Sequence, residues 1–355
     1  LKCIMKHNYS LLILLFCIFL VSNSNKCLAQ NGPGGVGSDT DNRFWFIANS
    51  LTASKSDGAT VNSVTNYGGN TLNATQSTTS RRPIFSTNQI NGFPIIEFDG
   101  TNDYLSIADN SDLDTGGPWA QRTYSVVIRT GADVTTRQNI YNEGGATRGI
   151  NIYIDNGNLY IGALNLNNDG ADAPWGFTSA NTTISANTNY IVSFTFDANT
   201  SMTGTIDTYL NGALFGTLTG IGRIYNHNPA NFGAQVNDGY YHDGADSDSN
   251  YYYSGGIAEF IFYNKVLNDS ELNSLHNYLS SKYDINISGV DNYSYDSSAD
   301  NFDYHYISIQ RQSAADNHLN TAEGTGIITI EENDALADND YLAIATNEFE
   351  NSNLE

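Results

Sequence analysis

Two acidic clusters are the strongest chemical signals in this sequence. Asp99, Asn102 and Asp103 crowd one tight turn, and Asp243, Asp246, Asp248 and Asn250 fall within the segment Asn237 to Asn250. Carboxylates, amides and backbone carbonyls held in turns are the oxygen donors that a hard cation wants, so Ca2+ is the cofactor to expect. The second cluster opens with the alternating acids of a calcium loop but lacks the following glycine and the spaced glutamate of an EF-hand. Asp and Asn also populate turns for conformational reasons, and a run of like charge is often simply solvated, so both readings stand. Zinc and iron are not expected, because the histidines are scattered at His227, His242, His276, His305 and His318 and the cysteines all lie in the first thirty residues.

A second chemistry is carried by aromatics in turn-like sequence. Trp119 sits in Gly-Gly-Pro-Trp, Trp175 in Ala-Pro-Trp-Gly, and Tyr240, Tyr241 and Tyr251 flank the acidic segment beside the amide of Asn237. Flat aromatic faces suit the CH-rich surface of a pyranose, and amides suit its hydroxyls. These six residues are therefore the candidate ligand contacts. The competing reading is structural: tyrosines pair across strands and loop tryptophans cap cores. Trp45, between Phe44 and Phe46, reads as core.

The chain that must position them has 355 residues, 15 Lys plus Arg against 38 Asp plus Glu, and a formal net charge of -23. Polyanions such as nucleic acids are excluded as partners. Hydrophobic residues at 40% supply enough mass for a folded core. Lys2 and Lys6 precede the apolar run Leu11 to Val21, followed by polar Ser22 to Lys26 and Ala29, the order of a secretory signal over residues 1–30. Eleven apolar residues are too few to span a bilayer. The expected location is secreted or cell-surface, with no lipid on Cys27, since Ser24, Asn25 and Lys26 lack the small apolar approach to such a site. Removing the signal leaves twelve basic residues, a net -26 and no cysteine for a disulfide.

From Arg43 onward, short segments of alternating polarity are separated by Gly, Asn and Asp turns, the rhythm of a sandwich or barrel. Strands are expected at Arg43 to Ala48, Ile95 to Phe98, Tyr104 to Ile107, Thr123 to Thr130, Gly149 to Ile154, Asn158 to Ala163, Tyr190 to Asp197, Thr205 to Leu210 and Ile257 to Tyr263. In the Tyr190 strand, Tyr190, Val192, Phe194 and Phe196 share a face that packs, while Ser193 and Thr195 share one that meets solvent or ligand. Asn156-Gly157 and Asn211-Gly212 predict two tight hairpins. One helix is expected over Asn268 to Tyr283, with Asn268 as N-cap, Glu271 as capping-box partner and an apolar stripe of Leu272, Leu275 and Leu279. Residues 31–42 read as a flexible Gly-rich leader without the lysine of a phosphate loop. Residues 43–285 form the main domain and 286–300 a linker. A partial β module follows over 301–355, with strands at Tyr304 to Gln310, Gly326 to Glu331 and Tyr341 to Ala345.

Three patterns recur in order: Phe98-Asp99-Gly100-Thr101-Asn102-Asp103-Tyr104-Leu105, then Tyr209-Leu210-Asn211-Gly212, then Gly256 to Asn264 ahead of the capped helix. Over Arg43 to Tyr283 the chain resembles the laminin-G-like, concanavalin A-like lectin/glucanase jelly rolls of bacterial secreted surface proteins. The resemblance implies an all-β, two-sheet antiparallel sandwich that binds polysaccharide or glycoprotein glycans, or other surface proteins, frequently with a structural calcium. Some relatives are glycosidases, which need paired carboxylates. Glu97 and Asp99 would share a face here. The third acid of the glucanase pattern is replaced by Asn102, so the motif is broken and a non-catalytic binding module is the leading expectation. A structural spacer and a glycoside hydrolase are the alternatives.

Overall fold

The computed structural model describes residues 31–169, 172–236, 238–246, 250–293, 304–322, 329–331 and 336–346, with only the backbone for Ala245 and Asp246. The first strands are β1 (Asn42–Ile47), β2 (Ser63–Val64), β3 (Ala74–Thr75), β4 (Ile84–Ile90), β5 (Phe93–Asp99), β6 (Leu105–Ser106), β7 (Gln121–Thr130), β8 (Gln138–Gly144) and β9 (Arg148–Asp155). There follow β10 (Asn158–Asn165), β11 (Gly176–Thr183), β12 (Asn189–Asp197), β13 (Gly204–Leu210), β14 (Ala213–Ile221), β15 (Asn231–Phe232), β16 (Gly239–Tyr241), β17 (Gly244–Asp246) and β18 (Ser254–Tyr263). Helix α1 (Asp269–Tyr283) precedes β19 (Tyr304–Arg311), β20 (Asn317–His318), β21 (Asn320–Ala322), β22 (Thr329–Glu331) and β23 (Asp340–Thr346).

Two antiparallel sheets face each other. The first runs β14-β13-β12-β7-β18-β5-β4, with β1 also on β18, and the second runs β11-β10-β9-β8-β15-β6-β3-β2. Every strand expected from alternation is present where it is described; of the expected Gly326 to Glu331 strand, residues 326–328 lie outside the described residues. Both Asn-Gly pairs turn with positive φ at both residues, 48° and 77° at Asn156-Gly157 and 48° and 74° at Asn211-Gly212, as a two-residue hairpin between right-twisted strands requires. Tyr190, Val192, Phe194 and Phe196 of β12 enter the core between the sheets, where Tyr124 stacks on Phe194 with ring centroids 4.5 Å apart.

The other face of β12 departs from expectation. Ile191, Ser193 and Thr195 meet neither solvent nor ligand: Ile191 joins a second core beneath α1, and the Ser193 hydroxyl lies 3.1 Å from His276 Nε2 of the helix. The capping box of Asn268 and Glu271 starts α1 as its sequence predicts. The apolar stripe of α1 packs on the first sheet. Its opposite face is a run of serines that the leucine pattern does not announce, and β19 docks there. Ser308 Oγ donates to Ser274 Oγ at 2.9 Å, and Gln310 Nε2 donates to the Ser270 carbonyl at 2.6 Å.

The Gly-rich segment is not a flexible leader. Pro33, Gly34 and Gly35 are buried, and Gly34, at φ +63°, lies so close to α1 that an added Cβ would come within 2.6 Å of Tyr278 Cβ. A side chain there would meet both steric and conformational resistance. Past the helix, Ile287 and Tyr293 are buried in the second core. Trp45, expected in the core, is only half-buried and donates Nε1–H to Glu259 at 2.6 Å. Glu259 also accepts from Tyr278, Tyr283 and Lys282, which clamps the helix to β18.

Candidate functional site

The site is built on the outer face of the second sheet, the face turned away from the first. Alternation sends Ile150, Ile152 and Ile154 of β9 and Leu159, Ile161 and Ala163 of β10 into the core, so Asn151, Tyr153, Asp155, Tyr160 and Gly162 point outward. The two-residue turn sets the register that places Tyr153 directly opposite Tyr160. Their rings stack at 4.8 Å and 7°.

The hairpin β16–β17 lies over this face. His242, at its turn, stacks on Tyr160 at 4.6 Å and 9° and lies near-parallel to Tyr153 at 6.1 Å. Tyr240 packs on Phe177 of β11 at 5.1 Å, and its carbonyl accepts from Asn151 Nδ2 at 2.8 Å. Tyr241 is the buried anchor. Its hydroxyl accepts from Asn139 Nδ2 at 2.7 Å and donates to Gln235, while its ring meets Tyr153 and Tyr251 edge-on. Beneath the hairpin, Asn142 Nδ2 and Asn151 Oδ1 stand on paired residues of β8 and β9 without hydrogen-bond partners among the described residues, although both residues are buried.

Arg137 locks the assembly. It donates to Asp155 Oδ2 through Nε at 3.0 Å and Nη2 at 2.6 Å, reaches Asp243 at 2.8 Å, and lies 4.6 Å from the Tyr241 ring centroid and 5.3 Å from that of Tyr251. Burial opposes its charge, but the bonds to Asp243 and Asp155 outweigh it and hold the guanidinium above its ordinary range. The same bond to Arg137 holds Asp243 below the usual carboxylate range. Burial pushes both Tyr153 and Tyr160 upward, so both stay neutral hydroxyl donors at physiological pH.

The sequence-predicted residues divide. Tyr240, Tyr241 and Tyr251 come together here, although Tyr241 is wholly buried and serves as support. Trp119 and Trp175 lie elsewhere, half-buried against the inter-sheet core; their Nε1–H groups donate to the carbonyls of Ser111 and Arg223, both at 3.2 Å. Asn237 and Asp248 lie outside the described residues, as does the side chain of Asp246. The Asp243 carboxylate has Arg137 as its counter-charge, which opposes a cation at that oxygen.

The turn at Asp99 is the other place where a cation is expected from the sequence. Asp99 Oδ1 accepts from the backbone N–H groups of Thr101, Asn102 and Asp103, as a turn-capping aspartate does. Asp103 Oδ2 accepts from the Asp99 N–H at 3.2 Å, and Asn102 Oδ1 is buried without a partner. Burial, then the neighbouring charge of Asp99, pushes Asp103 up to about 6. A hard cation would relieve both the repulsion and the orphaned oxygen. Among the described residues no three His, Cys, Asp or Glu side chains converge, so Asn102 would have to serve as a neutral ligand.

Sequence reasoning missed Tyr153, Tyr160, Phe177, His242, Arg137 and Asp155. The Asn156-Gly157 turn held the signal for the first two, since its register pairs 155 with 158 and hence 153 with 160. It also missed a charged network inside the core, where Arg122 donates to Glu143 Oε1 at 2.6 Å and Tyr141 donates to Oε2 at 2.6 Å. Both charges are inaccessible, so this network ties the sheets together and meets no ligand. Glu97 and Asp99 serve different neighbours: the Ser86 hydroxyl donates to Glu97, while Asp99 caps its turn.

Residues 99–273 match the family described as the concanavalin A-like lectin/glucanases superfamily, in agreement with the motif-based resemblance and the two-sheet architecture. Among solved structures, the chain is similar to the binding domain of botulinum neurotoxin serotype D, at 14% identity and TM-score 0.45, over 67% of this chain and 50% of that one. Similar figures hold for that toxin's ligand binding domain in complex with N-acetylneuraminic acid, at 14% identity, TM-score 0.45, 67% and 50%. The binding domain of Paraclostridial Mosquitocidal Protein 1 is 16% identical with TM-score 0.46, over 69% of this chain and 54% of that one. The chain thus spans about half the length of these structures. No curated protein matches it. Among the described residues no helix is long and apolar enough to cross a membrane.

Proposed function

We propose that this chain, a concanavalin A-like sandwich, is a secreted or cell-surface, non-catalytic carbohydrate-binding module that takes a glycan on the outer face of its second sheet. The observation that carries the reading is the set of three near-parallel rings, Tyr153, Tyr160 and His242, with Tyr160 half-exposed and His242 exposed. Such a platform offers a flat face to a pyranose. Asp243, its side chain exposed, adds a hydroxyl acceptor, and Tyr240 and Phe177 add a second apolar wall. The low count of free cations suits a neutral sugar.

Calcium is the second part of the proposal. Asp99, Asn102 and Asp103 would hold it, and the ion would neutralise two adjacent carboxylates and rigidify the turn.

The test is binding of the full chain to a polysaccharide panel, with calcium or chelator, in an assay that also reports released reducing ends. Tyr160→Ala and His242→Ala are each expected to weaken binding roughly tenfold, the magnitude of one lost stacking contact, while the chain stays folded with a melting temperature lower by a few degrees. Chelation is expected to lower the melting temperature. Full affinity in Tyr160→Ala would remove the platform from the site. Absence of binding across the panel would favour protein adhesion, and reducing-end release would favour the hydrolase.

A further inference from the structure

On the opposite side of the sandwich, at the edge of the first sheet left open by α1, a polar cleft of ≈ 260 Å³ is walled by Glu97 on β5 and Arg129 on β7. The strand between them is β18, and Gly256 pairs with Glu97 on one side and with Arg129 on the other. The three residues thus form one row across the sheet. Two inter-strand spacings put the backbones of Glu97 and Arg129 about 10 Å apart. Gly256 projects nothing between them, and the δ-methyl of Ile95 fills the place of its side chain, 2.2 Å from where a Cβ would stand. Ser254, Gln89 and Asn187 complete a lining of hydroxyl and amide groups.

Eight of the twelve lysines and arginines beyond residue 30 lie within 4.0 Å of a carboxylate. Arg129 is not among them. It donates Nη1–H to the Gln89 carbonyl at 2.7 Å and, among the described residues, has no acid beside it. Glu97 accepts from the Ser86 hydroxyl and, among the described residues, has no cation within ion-pair distance. Both heads lean toward β4, Arg129 across β18 to the Gln89 carbonyl and Glu97 to the Ser86 hydroxyl, and they line one cleft more than 4.0 Å apart.

A lone anion would be repelled by Glu97 and a lone cation by Arg129. A neutral sugar could bond both through hydroxyls but would neutralise neither charge, with no aromatic platform beneath it. A zwitterion neutralises both. We propose that this cleft is a second binding site, taking a small α-amino acid with its ammonium on Glu97 and its carboxylate on Arg129. The two charges of such a ligand lie about 3 Å apart, so one molecule can reach both heads of this cleft by a hydrogen bond each.

Calorimetric titration of the full chain with glycine, alanine and serine tests this, beside N-acetylglycine, which lacks the ammonium, and glycinamide, which lacks the carboxylate. Binding of the free amino acids is expected, with affinity lost by about tenfold or more in Glu97→Gln, in Arg129→Gln and with either blocked analogue. Glu97→Gln keeps the shape of the wall and the bond to Ser86, so it decides the matter if Arg129→Gln does not fold. No heat with any free amino acid at about 10 mM would overturn the proposal. So would a blocked analogue that binds as well as its parent, or Glu97→Gln binding at full affinity. Glycan binding at the other face is independent of every one of these outcomes.

Discussion

Replacing Arg137 with methionine separates the two jobs of the second sheet, holding its own core and holding the hairpin that completes the platform. Methionine keeps the length and loses the charge. The side chain of Asp155 is 9% exposed, and stripping its bidentate partner leaves a carboxylate largely removed from water, a cost of about 2 kcal/mol, below that of a fully buried pair. The Asp243 carboxylate is 58% exposed, and its pair contributes about 0.5 kcal/mol, falling with salt. The contacts of the guanidinium with the rings of Tyr241 and Tyr251 add about 1 kcal/mol together. Of these, only the Asp243 pair and the Tyr241 contact tie the hairpin to Arg137, so about 1 kcal/mol falls on local opening of β16 and β17, while the Asp155 cost falls on the adjoining ends of β8 and β9. Amide hydrogen exchange at Tyr241, Gly244 and His242 is expected to speed up roughly fivefold, while the slowest amides of β12 keep their rates. Glycan affinity should fall with hairpin protection, because His242 is carried on that turn. Unchanged protection at Tyr241, or an equal loss across β12, would refute the assignment of Arg137 as the local lock.

Acidification should destabilise the fold through buried histidines. Burial holds His276 down to about 4, and burial with the nearby Lys265 charge holds His318 down to about 4. Both stay neutral when folded, so protons bind the unfolded chain first as pH falls below about 6.5, and each costs about 2 kcal/mol at pH 5. Asp103 and Asp114, pushed up to about 6 chiefly by burial, act in the opposite sense and recover about 1 kcal/mol each, less than the histidines cost. Denaturant midpoints should therefore drop from pH 7 to pH 5, and His276→Gln with His318→Gln should flatten the drop; a midpoint that rises on acidification would contradict the balance. Glu259→Gln leaves the ammonium of Lys282 without a carboxylate beneath α1 and should cost about 2–4 kcal/mol by equilibrium unfolding; a wild-type midpoint would show that the helix is held by its leucines alone. Gly34→Ala meets both a positive φ and the Cβ of Tyr278 and should cost about 1–3 kcal/mol, whereas an unchanged melting temperature would mean that the segment does not pack as described.

What the sequence made legible followed from local rules. Alternation in the Tyr190 run, two Asn-Gly turns and the Asn268–Glu271 box each involve residues a few positions apart, and each appears in the fold as read. Surfaces were read less well, because what covers a strand face is decided by segments far along the chain. Ser193 reads as a solvent-facing residue until His276, 83 positions away, is placed over it. The serines of α1 read as its wet side until β19 arrives. Gly32 to Gly37 has the composition of a flexible segment, and only its proximity to Tyr278 shows why bulk is excluded there.

The same distinction governs the binding surfaces. Residue type alone selected Trp119 and Trp175, large aromatics in turns, yet both indole N–H groups are committed to carbonyls that close the core. Tyr153 and Tyr160 look ordinary within their strands and gain a shared face only through the hairpin register. Arg129 and Glu97 are 32 positions apart and become opposite walls only because β18 runs between β5 and β7 with a glycine at the crossing row. In a chain of net charge -23, most described cations are spent on ion pairs. An arginine left without an acid is therefore a sharper pointer to a ligand than any acidic cluster, because here acids are abundant for reasons of solubility while unpaired bases are scarce.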